Sequence, residues 1–471
     1  MGFLAETSQA LAFPEDGMRL LISVLAGYPL AAIYRQFLYD KNKTIQYSYF
    51  TIVGIGIYLF NCGYETYHSM ISVLLAYVIC NFLPGTTLSV VLAHICFLGH
   101  LLIGYWFAES HEYDITWTTP FCIMTLRHIG LVMDVYDGKK RQDSLRPDQK
   151  ATSVVNPPSL LETAAFSLFF SGTLVGPQFT LNRFRRFVNG EFLDPETKQP
   201  RASALRVSIC RFLAGIFYAV IHQWGCVWIP QEYLNSAEFY ALPFLWKCIW
   251  IMIWFRLTMA RYCAAWLLTE GAAILCGLGY NGLDERKREK WDGVRDLHIT
   301  GWELGSDFQS VINSFNVGTN TFAKNHIFRR LQWLGSKTMS HVVTLIYLAT
   351  WHGYHLGYFV LFIYEFAAVF AQDQLYALIK RTPGAREFLD KPYVRPFTWL
   401  FGRLTITMTM AFGFLSFGLI KKEKWIGPVS SMYFSGWIWW FIGWPVLHQI
   451  LLRTLPRKPR EAHVEKEKKT E

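Results

Sequence analysis

The chain has little charge for its length. Of its 471 residues only 17% are charged, against about 25% in an ordinary soluble domain. A soluble fold of this size needs a charged surface, so this composition excludes one. Hydrophobic residues make up 52% of the sequence and aromatic residues 17%. Together these proportions predict an integral membrane protein.

The sequence also lacks clustered metal ligands and a removable leader. Its nine cysteines are scattered singly, with no Cys-x-x-Cys pair, whereas structural zinc needs grouped ligands. We therefore predict reduced cysteines and no metal. The N-terminus lacks the basic region and small-residue cleavage site of a signal peptide, so we expect the first apolar block to be an uncleaved anchor.

Long apolar blocks are what the sequence has instead. A membrane-spanning helix needs about 20 apolar residues. Blocks that approach or reach this length lie at 20–38, 47–60, 67–83, 88–108, 160–179, 205–229, 239–257 and 259–280, and further blocks at 342–354, 358–371, 396–420 and 432–452. A weaker block, 115–135, is interrupted by Arg127 and His128. We predict an all-α polytopic membrane protein with about 10–12 transmembrane or re-entrant helices.

The net charge of +10 lies mainly in short loops beside these blocks. This pattern is typical of cytoplasmic loops that face anionic lipid, so we expect no nucleic-acid partner. Acidic residues near the N-terminus and in the loop 109–114 predict the opposite side for those segments, and alternation then places the C-terminus in the cytoplasm. We interpret residues 1–453 as a single membrane domain and residues 454–471 as a basic cytoplasmic tail.

The segment 281–337 is the longest polar stretch of the membrane domain. Loops of this length are usually functional or disordered, and its seven large aromatic residues argue against disorder. We therefore expect it to be folded and to carry part of the functional site.

His352 stands apart from the other histidines because it lies inside an apolar block. An ionisable side chain at membrane depth is costly and is a candidate for function, and histidine is a natural general base near neutral pH. A structural histidine bonded to a backbone carbonyl is the alternative. Gly353 and Gly357 lack side chains, which would let an extended substrate approach the backbone.

Other ionisable residues in or near the apolar blocks are expected to form intramembrane ion pairs rather than to do chemistry. The acids are Glu162, Glu270, Asp296, Glu303 and Glu365, and their expected partners are Arg211, Arg256, Arg261 and Arg403.

The residues around His352 resemble the membrane-bound O-acyltransferase family. The stretch 351–358 is similar to the family motif W-H-G-x-x-P-G-Y, with Trp351, His352 and Tyr358 at matching positions. Leu356 stands where proline is usual, and His355 precedes it.

A second pattern, 36 positions earlier, is similar to the motif W-N-x-x-T-x-x-W-L-K of the family's lysophospholipid branch. Asn316, Thr319 and Lys324 match, while phenylalanine replaces both tryptophans and alanine the leucine. Arg329 and Arg330 follow in a stretch similar to Y-x-R. The motif-specific region extends from about 291 to 358, and the likeness in length and hydropathy covers essentially the whole chain.

The resemblance implies a helical bundle around an internal cavity and direct transfer of an acyl group from acyl-CoA to the sn-2 hydroxyl of a lysophospholipid. His352 would be the general base. Asn316 would either hold the thioester carbonyl or orient the imidazole. No cofactor is needed, because a thioester is already activated and acyl-CoA is a co-substrate.

The resemblance places further residues where they would bind substrate. They are Trp351, His355, Tyr358 and Thr319, together with Lys324, Arg329 and Arg330, whose charges suit the phosphates of coenzyme A. These basic residues could equally face solvent or lipid headgroups. The resemblance implies lysophosphatidylcholine as the first acceptor, ethanolamine and serine lysolipids as weaker ones, and polyunsaturated acyl-CoA as donor; it also allows a homodimer.

Two alternatives remain at the level of sequence. One is a protein acyltransferase of the same family, which the Asn-x-x-Thr pattern disfavours. The other is a multi-helix transporter, which often shows repeat symmetry; none is detectable here. The tail ends Lys468-Lys469-Thr470-Glu471, similar to the dilysine retrieval signal of the endoplasmic reticulum. We therefore expect a multi-pass protein of that membrane.

Overall fold

The computed structural model describes residues 6–8, 13–108 and 116–457. Within these ranges the chain is helical and contains no strand, only two isolated β-bridges, Leu283↔Glu289 and Leu297↔Phe315. The predicted fold class is therefore confirmed. The dilysine tail and the acidic loop 109–114 lie outside the described residues.

The described residues before position 200 form nine α-helices. These are α1 (Glu15–Ile33), α2 (Lys43–Cys62), α3 (Thr66–Phe82), α4 (Thr87–Ala93), α5 (His100–Phe107), α6 (Thr118–Gly138), α7 (Pro147–Thr152), α8 (Leu160–Ser167) and α9 (Leu181–Val188). Wider π-helical turns at Tyr34–Leu38 and His94–Gly99 extend α1 and join α4 to α5, and 3-10 turns lie at Gly63–Glu65 and Gln142–Ser144.

The second part begins with two long helices and continues through short ones. Its α-helices are α10 (Ser203–Trp228), α11 (Ala237–Ala241), α12 (Phe244–Cys276), α13 (Ile299–Leu304), α14 (Phe308–Ile312), α15 (Val317–Phe322), α16 (Lys337–His352), α17 (Leu356–Arg381), α18 (Ala385–Leu389), α19 (Arg395–Gly418), α20 (Lys422–Ser431), α21 (Ser435–Ile438) and α22 (Trp444–Thr454). π turns lie at Ala323–Ile327 and Trp439–Gly443, and 3-10 turns at Gln231–Asn235, Phe328–Arg330 and Gln332–Leu334.

Six helical segments of the described chain are long and apolar enough to cross a bilayer. They are Glu15–Leu38, Thr87–Phe107, Ser203–Asn235, Phe244–Cys276, Leu356–Arg381 and Arg395–Gly418. Other predicted blocks form continuous helices of 16 to 21 residues, which are α2, α3, α6 and α16, and the blocks 160–179 and 432–452 are broken. The blocks 239–257 and 259–280 were predicted as separate helices, but they belong mainly to the single 33-residue helix α12, because no glycine or proline interrupts the chain between them.

The block 160–179 is not a spanning helix, because α8 ends at Ser167 and a non-helical segment follows. Backbone outside a helix is tolerated at membrane depth only where protein groups satisfy it. Arg127 of α6 does so: its guanidinium donates to the carbonyls of Ser167 at 3.1 Å, Gly172 at 2.6 Å and Pro177 at 3.0 Å. Arg127, the charged residue that interrupts the weak block 115–135, therefore holds the non-helical segment after α8 in place.

The intramembrane ion pairs form for some of the predicted residues. Glu270 pairs with Arg211 at 3.1 Å, as expected, and also with Arg295 at 3.6 Å. Glu303 pairs with Arg256 as expected.

Three of the acids differ from the expectation. Glu162 pairs with Arg185 of α9 at 2.7 Å instead of with one of the four predicted arginines. Asp296 and Glu365 form no ion pair with any described residue. Both line the interior cavity, so the prediction of structural ion pairs was wrong for these two.

Candidate active site

His352 is the last residue of α16, and the backbone leaves the helix immediately after it. Gly353 has φ of +137°, a conformation that side-chain-bearing residues rarely adopt. The turn brings α17 back antiparallel to α16. Three aromatic rings of α17 and α19 surround the imidazole, with centroid distances of 5.8 Å to Tyr358, 5.8 Å to Phe362 and 4.9 Å to Phe417.

The imidazole is oriented by these rings and not by a hydrogen bond. Neither ring nitrogen of His352 bonds to another residue in the described part of the chain. The alternative of a structural histidine tied to a carbonyl therefore finds no support in the geometry. Both nitrogens stay available to a molecule in the cavity.

The two glycines beside His352 allow close packing of α17. At Gly357 an added Cβ would lie 2.0 Å from the carbonyl oxygen of Ser416, so α17 and α19 touch there through backbone. At Gly353 it would lie 3.0 Å from the ring of Tyr358. The expected room for a substrate is therefore absent at Gly357, whereas Gly353 itself lines the cavity.

Asn316 occupies the turn that starts α15. Its φ of 51° and ψ of 46° are left-handed, a conformation that asparagine tolerates better than most residues. Its carbonyl accepts from the backbone N–H of Asn320 at 3.0 Å. The side chain of Asn320 then donates to the carbonyls of Ile312 and Phe315, both at 2.9 Å, and ties the helix to the preceding turn.

Asp296 holds this turn from a distant part of the sequence. Its carboxylate accepts from the backbone N–H of Gly318 at 2.7 Å, and its carbonyl from the N–H of Val317 at 3.1 Å. It therefore caps a helix that has no side-chain cap of its own. Burial raises the pKa of Asp296 to about 7, against the lowering effects of Gly318 and Arg127.

Phe315, where the family motif has tryptophan, anchors the same turn in aromatic packing. Its ring stacks on Trp302 at 4.3 Å and meets Trp266 edge-on at 4.7 Å. The guanidinium of Arg256 lies 4.8 Å from the centroid of Trp302. The smaller ring at position 315 thus packs in an aromatic cluster. The backbone of Asn316 is held by Phe315 before it and by the bonds of Val317 and Gly318 to Asp296 after it.

His352 and Asn316 line one cavity of about 1020 Å³. Of the tentative binding residues, Trp351, His355, Tyr358, Thr319 and Lys324 line it as well. The indole N–H of Trp351 donates to the carbonyl of Cys122 at 2.9 Å. The walls come from both large hydrophobic clusters of the protein, since residues of each line the cavity.

Arg329 and Arg330 lie elsewhere, because neither belongs to the cavity lining. Arg329 pairs with Asp148 at 2.7 Å, and Arg330 donates to Asp137 at 2.8 Å. Burial alone would raise the pKa of Asp148, but the hydrogen bonds from Arg329 and Arg146 outweigh it and lower that pKa. Both arginines thus have partners within the protein. Lys324 and Lys337 are the basic residues that line the cavity where α16 begins.

The cavity extends between two opposite ends of the helices around it. At one end lie Lys337, which begins α16, and Lys324, both exposed. At the other end, beyond the last residue of α19, it reaches Lys421 and Lys424. His352 lies between these ends, where α16 stops.

These features define a class of protein: a helical membrane enzyme that encloses a histidine and an asparagine in one internal cavity. The family model of membrane-bound O-acyltransferases matches residues 102–411. The chain belongs to this family and is an O-acyltransferase, so the resemblance is confirmed and the transporter alternative is set aside.

Proteins similar to this chain along almost their whole length are named as lysophospholipid acyltransferases. "Lysophospholipid acyltransferase 5" of Caenorhabditis elegans is 59% identical over 466 residues, covering 99% of this chain and 98% of the relative. The Homo sapiens protein of that name is 35% identical over 458 residues, covering 97% and 93%. "Lysophospholipid acyltransferase" of Schizosaccharomyces pombe is 25% identical over 473 residues, covering 96% and 90%.

Proposed function

We propose that this protein transfers an acyl group from acyl-CoA to the sn-2 hydroxyl of a lysophospholipid, with lysophosphatidylcholine as its first acceptor. The observation that carries the proposal is the placement of His352 and Asn316 on one enclosed cavity. The names of the similar proteins support the lysophospholipid as acceptor.

The reaction needs one base and one hydrogen-bond donor. A ring nitrogen of His352 takes the proton of the acceptor hydroxyl as its oxygen attacks the thioester carbonyl. The side-chain amide of Asn316 donates to the oxyanion that forms, a contribution of about 3 kcal/mol in other acyl-transfer sites. The carbon–sulfur bond then breaks, and the leaving thiolate takes the proton from the imidazolium.

Direct transfer, without an acyl-enzyme, fits the surroundings of His352. A serine or cysteine nucleophile would have to lie within hydrogen-bond reach of its base, and none bonds to His352 among the described residues. The Asn316 amide does not bond to the imidazole either, which favours its role at the carbonyl over a role in orienting the base.

The two ends of the cavity suit two different substrates. Coenzyme A is hydrophilic and multiply anionic, and the exposed Lys324 and Lys337 offer it a basic entrance. The opposite end, with Lys421 and Lys424, suits the phosphate of the lysophospholipid. Aromatic walls around His352 suit a choline headgroup through cation–π contact. They also suit a bent polyunsaturated chain better than a straight saturated one.

A panel of matched substrates tests this function on the purified protein. Product phospholipid is measured for lysolipids that differ only in headgroup and for acyl-CoAs that differ only in unsaturation, and kcat/KM values are compared. We expect lysophosphatidylcholine with a polyunsaturated acyl-CoA to give the highest value. A tenfold advantage for lysophosphatidylinositol or lysophosphatidic acid would contradict the choline preference, and absence of any product would contradict the proposed reaction.

The proposal includes the location and orientation that the sequence predicts. The enzyme resides in the endoplasmic reticulum membrane, and the Lys337 end of the cavity faces the cytoplasm, where acyl-CoA is made.

A further inference from the structure

Glu365 is an acidic residue inside the cavity to which the proposed reaction gives no role. It lies on α17, half-buried, and lines the same cavity as His352. No hydrogen bond or ion pair joins its carboxyl group to any residue that the structure describes. A polar group in an apolar enclosure is costly unless it finds a partner, so the partner is expected to be a molecule in the cavity.

The register of α17 gives the position of this carboxyl group. One stripe of the helix lines the cavity, with Tyr358, Phe362, Glu365, Phe366, Val369 and Asp373 recurring at helical spacing. Phe362 contacts the ring of His352, and Phe366 contacts the ring of His341 on α16 at 5.5 Å. Glu365 follows Phe362 by three residues, a rise of about 4.5 Å along the axis.

Glu365 therefore lies between His352 and the end of the cavity that Lys337 and Lys324 form. The stretch around it is otherwise dominated by apolar and aromatic groups, among them Leu345, Leu348 and Phe366. If acyl-CoA enters at Lys337 and places its thioester at His352, this stretch holds the arm that connects the nucleotide to the sulfur.

That arm carries two secondary amides, each with one N–H donor and one carbonyl acceptor. A neutral carboxyl group offers the complementary pair, an O–H donor and a carbonyl acceptor, and a carboxylate still accepts from the N–H. The chemistry of the arm and the position of Glu365 thus match each other.

We propose that Glu365 binds the pantetheine arm of acyl-CoA by hydrogen-bonding an amide group of it, and so selects a pantetheine thioester as the acyl donor. This inference rests on the proposed acyl-CoA-dependent reaction. It makes Glu365 a residue of donor recognition, whereas proton transfer belongs to His352.

Two substitutions at position 365 separate hydrogen bonding from charge. Glu365→Gln keeps a donor and an acceptor of the same shape, and Glu365→Leu keeps only the volume. We expect Glu365→Leu to raise KM for acyl-CoA about tenfold, the effect of losing one or two hydrogen bonds, with KM for the lysolipid unchanged. Glu365→Gln should stay within about twofold of the wild type. Ile363→Val, on an exposed face of the same helix, is the matched control.

A modified donor tests the same contact without a variant. Acyl-CoA analogues in which an ester replaces one or the other pantetheine amide lack that N–H. With the analogue that lacks the contacted amide, the wild type should show the raised KM, and Glu365→Leu should add no further loss.

The outcomes distinguish this inference from the proposed function. If the wild type forms no phospholipid from acyl-CoA and lysolipid, the proposed function itself fails. If it does, three results would overturn the role of Glu365 alone. These are an unchanged KM for acyl-CoA in Glu365→Leu, a rise in KM for the lysolipid instead, and a loss in Glu365→Gln as large as in Glu365→Leu, which would show that the charge is what matters. If Glu365→Leu does not fold, Glu365→Ala takes its place, and a wild-type KM that neither analogue raises overturns the contact without any variant.

Discussion

At the scale of single residues, the candidate site combines a base that has no hydrogen-bond partner among the described residues and an asparagine whose backbone forms a left-handed turn. His352 is held by aromatic rings, whereas the turn at Asn316 is fixed by the bonds that the N–H groups of Val317 and Gly318 donate to Asp296 and by the packing of Phe315. The asymmetry suits their roles. A donor that stabilises an oxyanion must be rigid before the charge develops, while a base needs its nitrogens free.

Removal of either side chain should abolish turnover while the protein stays folded. We expect His352→Ala to lower kcat by about 10²–10⁴ and Asn316→Ala by about 10²–10³. His448→Ala and Asn325→Ala, which lie outside the cavity lining, serve as controls. Initial rates of phospholipid formation and a melting curve for each purified variant decide the matter. A variant that is folded and keeps a tenth of wild-type kcat would remove that residue from the mechanism.

Asp296 is a positioning residue whose loss should act through Asn316. Asp296→Ala leaves the half-buried N–H of Gly318 without its acceptor, at a cost of about 1–3 kcal/mol, and releases the turn. We expect kcat to fall strongly with KM for both substrates little changed, and Asp296→Asn, which keeps an acceptor oxygen, to restore most of it. Equal losses in both variants would show that the charge of Asp296, and not its hydrogen bond, is what the site requires.

Glu365 shows where prediction from single residues fails. The sequence identifies it only as an acid among apolar residues, for which an ion pair is the ordinary expectation. Its position on the stripe with Phe362 and Phe366 was visible from spacing, but which stripe of α17 faces a cavity depends on how α16 and α19 pack against it. Glu270, which also lies in an apolar block, forms the ion pair with Arg211 that the sequence predicts.

At the scale of elements, the site depends on the close contacts at Gly353 and Gly357 and on the break in the block 160–179. The apolar blocks predicted the long helices well, because about 20 apolar residues have few other solutions in a bilayer. They could not predict the break after Ser167, where bonds from Arg127 replace helical ones. Nor could they predict that α12 continues as one helix across two blocks.

The contact of α17 with α19 at Gly357 should tolerate no side chain. A Cβ there would lie 2.0 Å from the Ser416 carbonyl, so Gly357→Val must push the helices apart, at about 1–3 kcal/mol or more. We expect a lowered apparent Tm in detergent and lost activity, since Phe417 of α19 also contacts His352. Gly56→Val, where an added Cβ meets nothing within 4 Å, is the matched control. An unchanged Tm for Gly357→Val would contradict the close packing.

At the scale of the whole molecule, the cavity joins two ends of a protein whose helices are long enough to cross a bilayer. α12 alone has 33 residues, a length of about 50 Å, and segments that precede and follow it must lie far apart. The sequence predicts that the segment after α12, with the basic stretch of 281–337, faces the cytoplasm.

Cysteine labelling tests this orientation. Glu285 follows α12 and Glu238 precedes it, and both are exposed. In sealed microsomes, in a background without the exposed Cys210 and Cys226, Glu285→Cys should react with an impermeant reagent because we expect it to face the cytoplasm. Glu238→Cys should react only after permeabilisation. The reverse pattern would place the acyl-CoA entrance at the other end of the cavity.

The most direct test of the central claim is a single-turnover experiment with acyl-labelled acyl-CoA and purified wild-type protein. Direct transfer in the cavity of His352 and Asn316 predicts that no free thiol and no labelled protein form until lysolipid is added. Each labelled phospholipid should then appear together with one coenzyme A thiol. Thiol release with label bound to the protein before the lysolipid is added would contradict direct transfer and require a nucleophile in the protein.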